Sequence, residues 1–420
     1  MKFLNSLKNK NLTGKICLLR VDFNITDADL RGYQRGLTRR IPLRIESILP
    51  TIKFLTKRGA KVVILSHRGR PRSRINADKN ADLRGYTLKP FAKIISQSLK
   101  NPVHFIDFKK GFNLSKISET IARGSIFLLE NLRFFPGEDK NDQEFAKSLA
   151  FLGTFYINDA FAFSHRPAAS MAGIPKFLPS YAGLLLEKEI KNLSRVMKKP
   201  KKPLVIILGG AKISDKICLI ENFKNKADCF LIGGAIANTF LAAQGLPVNN
   251  SLYDKKATLA ARKFLKTGKI ILPLDTAVFK RQILDIGVKT IEKYSKIIKN
   301  AKTIIWNGPM GYIEDKRFRK GSLAILEAIL KSRAFSAIGG GETVAVFQTA
   351  TRGTMRIYTQ NYAEKFNVSQ RQVRASPRIF ISTGGGAMLE FLAGKKMSGI
   401  EALKNNKLNQ NKIFFTFNFH

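Results

Sequence analysis

Two groups of residues in this sequence have types and spacings suited to chemistry on anions. The first is cationic. It comprises Arg20 with Asp22 and Asn24, then Ser66-His67-Arg68-Gly69-Arg70-Pro71, Glu130-Asn131-Leu132-Arg133, and Asn158-Asp159-Ala160 followed by His165-Arg166. Guanidinium groups grip phosphates and carboxylates bidentately, so this set suits a small phosphorylated or carboxylated ligand. The second group is glycine-rich. It comprises Gly209-Gly210-Ala211-Lys212 with Asp215-Lys216, Gly233-Gly234, Asn307-Gly308-Pro309-Met310-Gly311, Gly339-Gly340-Gly341-Glu342-Thr343 and Thr383-Gly384-Gly385-Gly386. Glycine lets backbone N–H groups approach rings and phosphate chains. Lys212 and Lys216 are four apart and would share a face of a helix opening after Gly210, whose N-terminus favours anions. The plainer alternative is a strand-to-helix turn carrying two solvated lysines. The stretch is not a P-loop, which needs Gly-x-x-x-x-Gly-Lys-Ser/Thr.

Such residues need a scaffold that delivers them to one edge. Apolar runs at 16–21, 62–65, 126–129, 154–157, 204–208, 230–232, 270–274, 303–306 and 379–382 read as buried strands. Amphipathic stretches such as 45–55, 145–152 and 216–224 alternate with them. That alternation predicts an α/β fold with parallel sheets and helices on both faces. In such sheets ligands bind beyond the carboxyl ends of the strands, and both groups follow predicted strands. The layout is therefore an N-terminal domain for a small anion and a C-terminal domain for a nucleotide, joined by one charged helix over 184–197.

Composition bounds the rest. A chain of 420 residues, 44% of them hydrophobic, holds two or three domains with substantial cores. Lys and Arg number 73 against 30 Asp and Glu, a formal charge of +43. Such a field attracts nucleic acid, anionic membranes or anionic metabolites. The cations are spread over helix surfaces, as at 191–202, which favours a general surface bias over a dedicated nucleic-acid face. No run of about eighteen apolar residues predicts a membrane helix. The opening Met1-Lys2-Phe3-Leu4-Asn5-Ser6-Leu7-Lys8 lacks a secretion signal's apolar core. Cys17, Cys218 and Cys229 have no metal-ligand spacing, so buried thiols in a reducing cytoplasm are expected.

Taken in order, these stretches resemble the phosphoglycerate kinase family from about residue 12 to 403. The match runs through Arg20-Val21-Asp22-Phe23-Asn24, Ser66 to Pro71, Leu129 to Phe134, Asn158 to Phe161 with His165-Arg166, Leu208 to Lys212 with Asp215-Lys216, Trp306-Asn307-Gly308-Pro309, Gly339 to Thr343 and Ser382 to Ala387. The resemblance implies two Rossmann-like domains facing a central cleft, usually as a monomer, at 1–181 and 182–395. The tail 396–420 would return to the first. It implies reversible, Mg2+-dependent phosphoryl transfer between 1,3-bisphosphoglycerate and ADP, giving 3-phosphoglycerate and ATP, with closure of the domains to exclude water. By motif position, Asp22, Phe23, Asn24, Arg44, His67, Arg68, Gly69, Arg70, Arg133 and Arg166 would bind phosphoglycerate. Gly210, Ala211, Lys212, Gly234, Asn307, Pro309, Glu314, Gly340, Gly341, Glu342 and Thr343 would bind the nucleotide. Lys212, Lys216 and Arg44 would act on the transferring group, and Glu342 would hold the metal.

Four features depart from the family pattern. Glu342 stands where Asp is common. A long basic stretch at 349–378 is expected as a disordered or partly helical surface loop, with an RNA- or partner-binding insert as the rarer alternative. The tail ends in alternating aromatics at 413–419, as in an added edge strand or a packed tail. The stretch after Asn24 lacks the usual proline and is basic, with Arg31, Arg35, Arg39 and Arg40 before Arg44. The charge keeps a second reading open: a nucleic-acid-binding protein on a kinase fold with reduced turnover.

Overall fold

The computed structural model describes residues 1–25, 30, 41–71, 84–107, 113–350 and 377–409. Arg31, Arg35, Arg39 and Arg40, most of the 349–378 stretch and the aromatic tail lie outside them. The chain divides into two compact units. One holds Met1–Ile190 with the chain from Lys396 on, and the other holds Lys191–Lys395.

The first unit carries seven strands: β1 (Lys2–Phe3), β2 (Ile16–Arg20), β3 (Lys61–Leu65), β4 (His104–Ile106), β5 (Ile126–Leu129), β6 (Phe155–Asn158) and β7 (Ser180–Ala182). They form one parallel sheet in the order β1-β7-β6-β2-β3-β5-β4. Its central strands are apolar runs because helices cover both faces. Leu19, Val62, Ile64 and Leu128 pack with Ile52 and Leu55 of helix Leu49–Thr56 and with Phe91 and Ile95 of helix Lys89–Leu99. Register sets the functional edge: Arg20 pairs with Leu65 on one side and Asn158 on the other. The segments opening at Val21, Ser66 and Asp159 therefore leave the sheet side by side. The helix Ser398–Lys404 belongs to this unit, and its Gly399 N–H donates to Ser164 O.

The second unit has β8 (Leu204–Leu208), β9 (Cys229–Ile232), β10 (Ile270–Ile271), β13 (Thr303–Asn307), β14 (Phe335–Gly339) and β15 (Ile379–Ile381), parallel in the order β10-β9-β8-β13-β14-β15. Val205, Ile207, Trp306 and Ile338 pack with Tyr294 and Ile298 of helix Val288–Asn300 and with Ile325 and Ile329 of helix Lys320–Lys331. Leu208 pairs with Asn307 and Ile232, and Asn307 with Gly339, so four glycine turns start at one edge. A hairpin, β11 (Thr276–Phe279) and β12 (Gln282–Ile286), stands apart. The sequence gives no sign of it because its turn is Lys280-Arg281, two non-glycine residues at positive φ (47° and 61°).

The α/β, mainly parallel expectation holds. Helix 184–197 is observed as Leu184–Lys198. The strand expected at 270–274 shrinks to Ile270–Ile271, since Pro273 cannot donate to a ladder.

Candidate functional site

In the first unit the cationic residues are built around two carboxylates and one aromatic ring. Asp22, two residues past β2, accepts from Asn24 N–H (2.8 Å). Its Oδ2 lies 2.5 Å from Arg44 Nη1, in helix Leu43–Glu46. That buried Nη1 is not aligned for a hydrogen bond, so the contact is an ion pair. Burial alone would raise the Asp22 carboxyl, but Arg44, His67, Arg20 and the Asn24 N–H together pull it down to about 2. Asn24 Oδ1 accepts from Gly69 N–H (2.9 Å), tying the β2 and β3 loops together. Gly69 has φ +59° and a Cβ there would meet the Tyr86 ring at 2.7 Å, so only glycine fits. Arg133 donates to Gly69 O (2.8 Å) and to Asp139 (3.2 Å). The Phe163 ring lies 4.2 Å from that of His67 and beneath the guanidinium groups of Arg20 (4.7 Å) and Arg133 (5.1 Å). Arg70 and Arg166 are exposed, and Arg166 closes a turn onto Phe163 O.

Two expected ligand residues are differently employed. Arg68 is buried, donates to Ile25 O (3.3 Å) and Thr87 O (3.2 Å), and stacks on Phe91. Its guanidinium serves the loop. The Phe23 side chain is wholly buried in the core against Phe91, which leaves only its backbone for a ligand. Glu130 and Asn131 are likewise structural. Glu130 accepts from Leu88 N–H and Thr87 Oγ1 ahead of helix Lys89–Leu99, while Asn131 bridges Arg68 O and Tyr86 O.

In the second unit the turns after β8, β9, β13 and β14 are stitched by backbone. Gly210 N–H donates to Pro309 O (2.8 Å) and Gly234 N–H to Met310 O (2.7 Å). A Cβ on Gly308, at φ +91°, would fall 2.1 Å from Gly209 O, so this close approach demands glycine. Asn307 Nδ2 donates to Gly339 O (3.0 Å), and Gly308 N–H to Thr343 Oγ1 (2.7 Å). Helix Gly341–Ala350 opens directly after the Gly339-Gly340 turn, with exposed Glu342 in its first turn.

The Lys212–Lys216 stretch differs from expectation. Gly210 at φ +85° turns the chain, Ala211 to Lys216 form a loop, and the helix starts only at Ile217. The two lysines therefore share no helix face. Lys212 is exposed, whereas Lys216 is buried and folds back to donate to Lys212 O (3.3 Å). Burial lowers the Lys216 pKa against the pull of Asp215 and Glu342. Lys216 Nζ and Glu342 Oε2 converge on Gly210: a Cβ there would stand 3.8 Å and 3.7 Å from them.

Glu314 is exposed on the rim of a cavity of about 350 Å3, lined also by Ile313, Arg319, Leu323, Gly341 and Glu342. Arg319 donates to Ile313 O and Glu314 O and so holds the Glu314 loop. The sequence reading passed over it, as one cation among many. Among the described residues, no three His, Cys, Asp or Glu gather as a metal-binding group, and no helix is long and apolar enough to cross a membrane.

The profile of the family described as Phosphoglycerate kinase matches residues 7–395. A phosphoglycerate kinase of Pseudothermotoga lettingae is 39% identical, covering 96% of this chain and 99% of its own. One of Herpetosiphon aurantiacus is 38% identical, with 94% and 97% covered. Among solved structures, phosphoglycerate kinase from Pyrococcus horikoshii OT3 superposes with TM-score 0.76 at 30% identity, covering 97% of this chain and all (100%) of that one. The enzyme from Coxiella burnetii superposes with TM-score 0.72 at 33% identity, covering 94% and 97%.

Proposed function

The chain belongs to the phosphoglycerate kinase family, and from that premise we propose how its residues divide the work. It is a phosphotransferase whose substrates are 3-phosphoglycerate or 1,3-bisphosphoglycerate and ATP or ADP. The rival reading, a nucleic-acid binder with reduced turnover, is not supported by these relatives. The first unit takes the phosphoglycerate. Arg70, Arg133 and Arg166 engage its phosphate, Asp22 and Asn24 orient its hydroxyl end, and Arg44 faces the carboxyl that accepts the phosphoryl group. His67 contributes a directional hydrogen bond. The second unit takes the nucleotide on the turns at Gly210, Gly234, Pro309 and Gly340, with Glu314 accepting from ribose hydroxyls.

The observation that carries this reading is the Gly210 corner, where a bare backbone, a buried ammonium and a carboxylate meet. A phosphoryl group in flight spreads charge over its oxygens, so little covalent work remains for the protein. Positioning and charge stabilisation dominate. Exposed Lys212 reaches the transferring group, and Lys216 supplies a desolvated cation behind it. No general base is required, because both attacking oxygens are already anionic. Mg2+ fits here as a nucleotide-borne ion: such sites use one or two carboxylates with phosphate oxygens and water. Glu342 is the carboxylate in place, and a metal so held would neutralise phosphate charge. A monomer in the cytoplasm completes the proposal. A coupled assay with 3-phosphoglycerate, ATP and Mg2+ tests it. ADP release dependent on 3-phosphoglycerate is expected, and a folded chain without it refutes the reading.

A further inference from the structure

Behind His67 lies a buried charged network that the reaction does not touch. Arg20 and Glu138 are both fully buried. Arg20 Nε donates to Ser170 Oγ (2.7 Å), its Nη1 donates to Val21 O, and its Nη2 lies 3.0 Å from His67 Nδ1. Glu138 accepts from Ser170 Oγ (2.6 Å) and Ser170 N–H (3.0 Å), and stands 3.8 Å from Arg20 Nη2. A guanidinium has donors only and does not lose its proton in proteins. His67 Nδ1 must therefore be the acceptor, and the proton of the neutral ring must sit on Nε2. A proton on Nδ1 would set one N–H against another.

We propose that Arg20 is a positioning residue: anchored by Glu138 and Ser170, it locks His67 as the neutral Nε2–H tautomer, so that His67 meets phosphoglycerate as a directional donor rather than as a cation. The inference rests on the reading of His67 as a substrate ligand. Its surroundings agree. Phe163 stacks against the ring and His67 is 2% exposed. Burial holds its pKa well below the ordinary histidine value; Asp22 opposes this, while Arg20, Arg133 and Arg44 reinforce it. These groups face the ring from β2 (Arg20), the loop after it (Asp22), the turn after β5 (Arg133) and helix Leu43–Glu46 (Arg44). The consequence is functional. Phosphoglycerate affinity should not follow histidine titration across roughly pH 5.5–8, where an unlocked histidine would change charge.

The test is ring-nitrogen NMR on the full chain labelled with 15N-histidine, with His67→Gln identifying the signal. The expected result is an Nε2–H ring that does not titrate across about pH 5.5–8 and whose Nε2 signal shifts on saturation with 3-phosphoglycerate. An Nδ1–H tautomer, or titration near the ordinary value, overturns the proposal. A locked ring that ignores 3-phosphoglycerate also overturns it, by removing His67 from the substrate site, and separates that failure from failure of the lock. Arg20→Gln supplies the kinetic arm. Its KM for 3-phosphoglycerate should become pH-dependent and rise about tenfold at the alkaline end, with KM for ATP unchanged and partial rescue in Arg20→Lys. A pH-independent KM in a folded Arg20→Gln enzyme contradicts the proposal.

Discussion

At the scale of residues, the Asp22–Arg44 pair makes the sharpest claim. The folded carboxyl sits at about 2, below its unfolded value. Its contribution to stability is therefore present above the unfolded pKa of about 3.9 and is lost as pH falls through about 2. Arg44→Ala removes the cation that most strongly opposes desolvation of the Asp22 carboxylate. Acid unfolding should then begin at higher pH, and KM for 3-phosphoglycerate should rise about tenfold or more, while KM for ATP holds. Acid denaturation monitored by circular dichroism, with steady-state kinetics, checks both. Residue type makes Arg70, Arg133 and Arg166 legible in the sequence, because cations after strands point to anions, whereas Arg44, in helix Leu43–Glu46, is named only through the family resemblance. Arg68 is expected at the ligand for the same reason, and the structure adds a role in holding loops together that residue type does not reveal. Its carbonyl partners, Ile25 O and Thr87 O, exist only once two loops meet. Arg20 was noticed without a role, since its anchor Ser170 lies 150 positions away.

At the scale of elements, the start of helix Leu184–Lys198 is held by the residue just after β6. Asp159 accepts from Thr51 Oγ1 (2.6 Å) and Leu186 N–H (3.0 Å), and Gly183 leaves it room. Burial raises its carboxyl to about 6 despite those donors. For an acid raised on folding, the contribution is fully present below the unfolded pKa and is lost as pH rises through about 6. Asp159→Asn should flatten the stability profile between about pH 4 and 6, as read by urea denaturation at several pH values; an unchanged slope contradicts this. Long apolar runs such as 204–208 were readable because burial on both faces demands them. Short or mixed strands were not: His104–Ile106 has three residues, and Phe335–Gly339 contains Ser336 and Ala337. The loop after Gly210 escaped because a positive φ at one glycine decides where the helix can start, and four-residue spacing alone does not reveal it.

At the scale of the whole molecule, a charge of +43 acts on every anion that approaches. Screening shortens that field to about 8 Å at physiological ionic strength. Raising salt from about 50 to 300 mM should therefore increase both KM values severalfold while kcat changes little; a salt-independent KM would show that only local contacts matter. The two-unit α/β plan was visible in the sequence because alternating strands and helices, cationic turns first and glycine turns second, are properties of chain order. The central claim is that catalysis here is charge stabilisation by a few placed groups. It is tested most directly by kcat and both KM values of Lys212→Ala. The account predicts a kcat lower by about 10²–10³ with KM values within a few-fold of the parent. A near-normal kcat in a folded Lys212→Ala enzyme would contradict it.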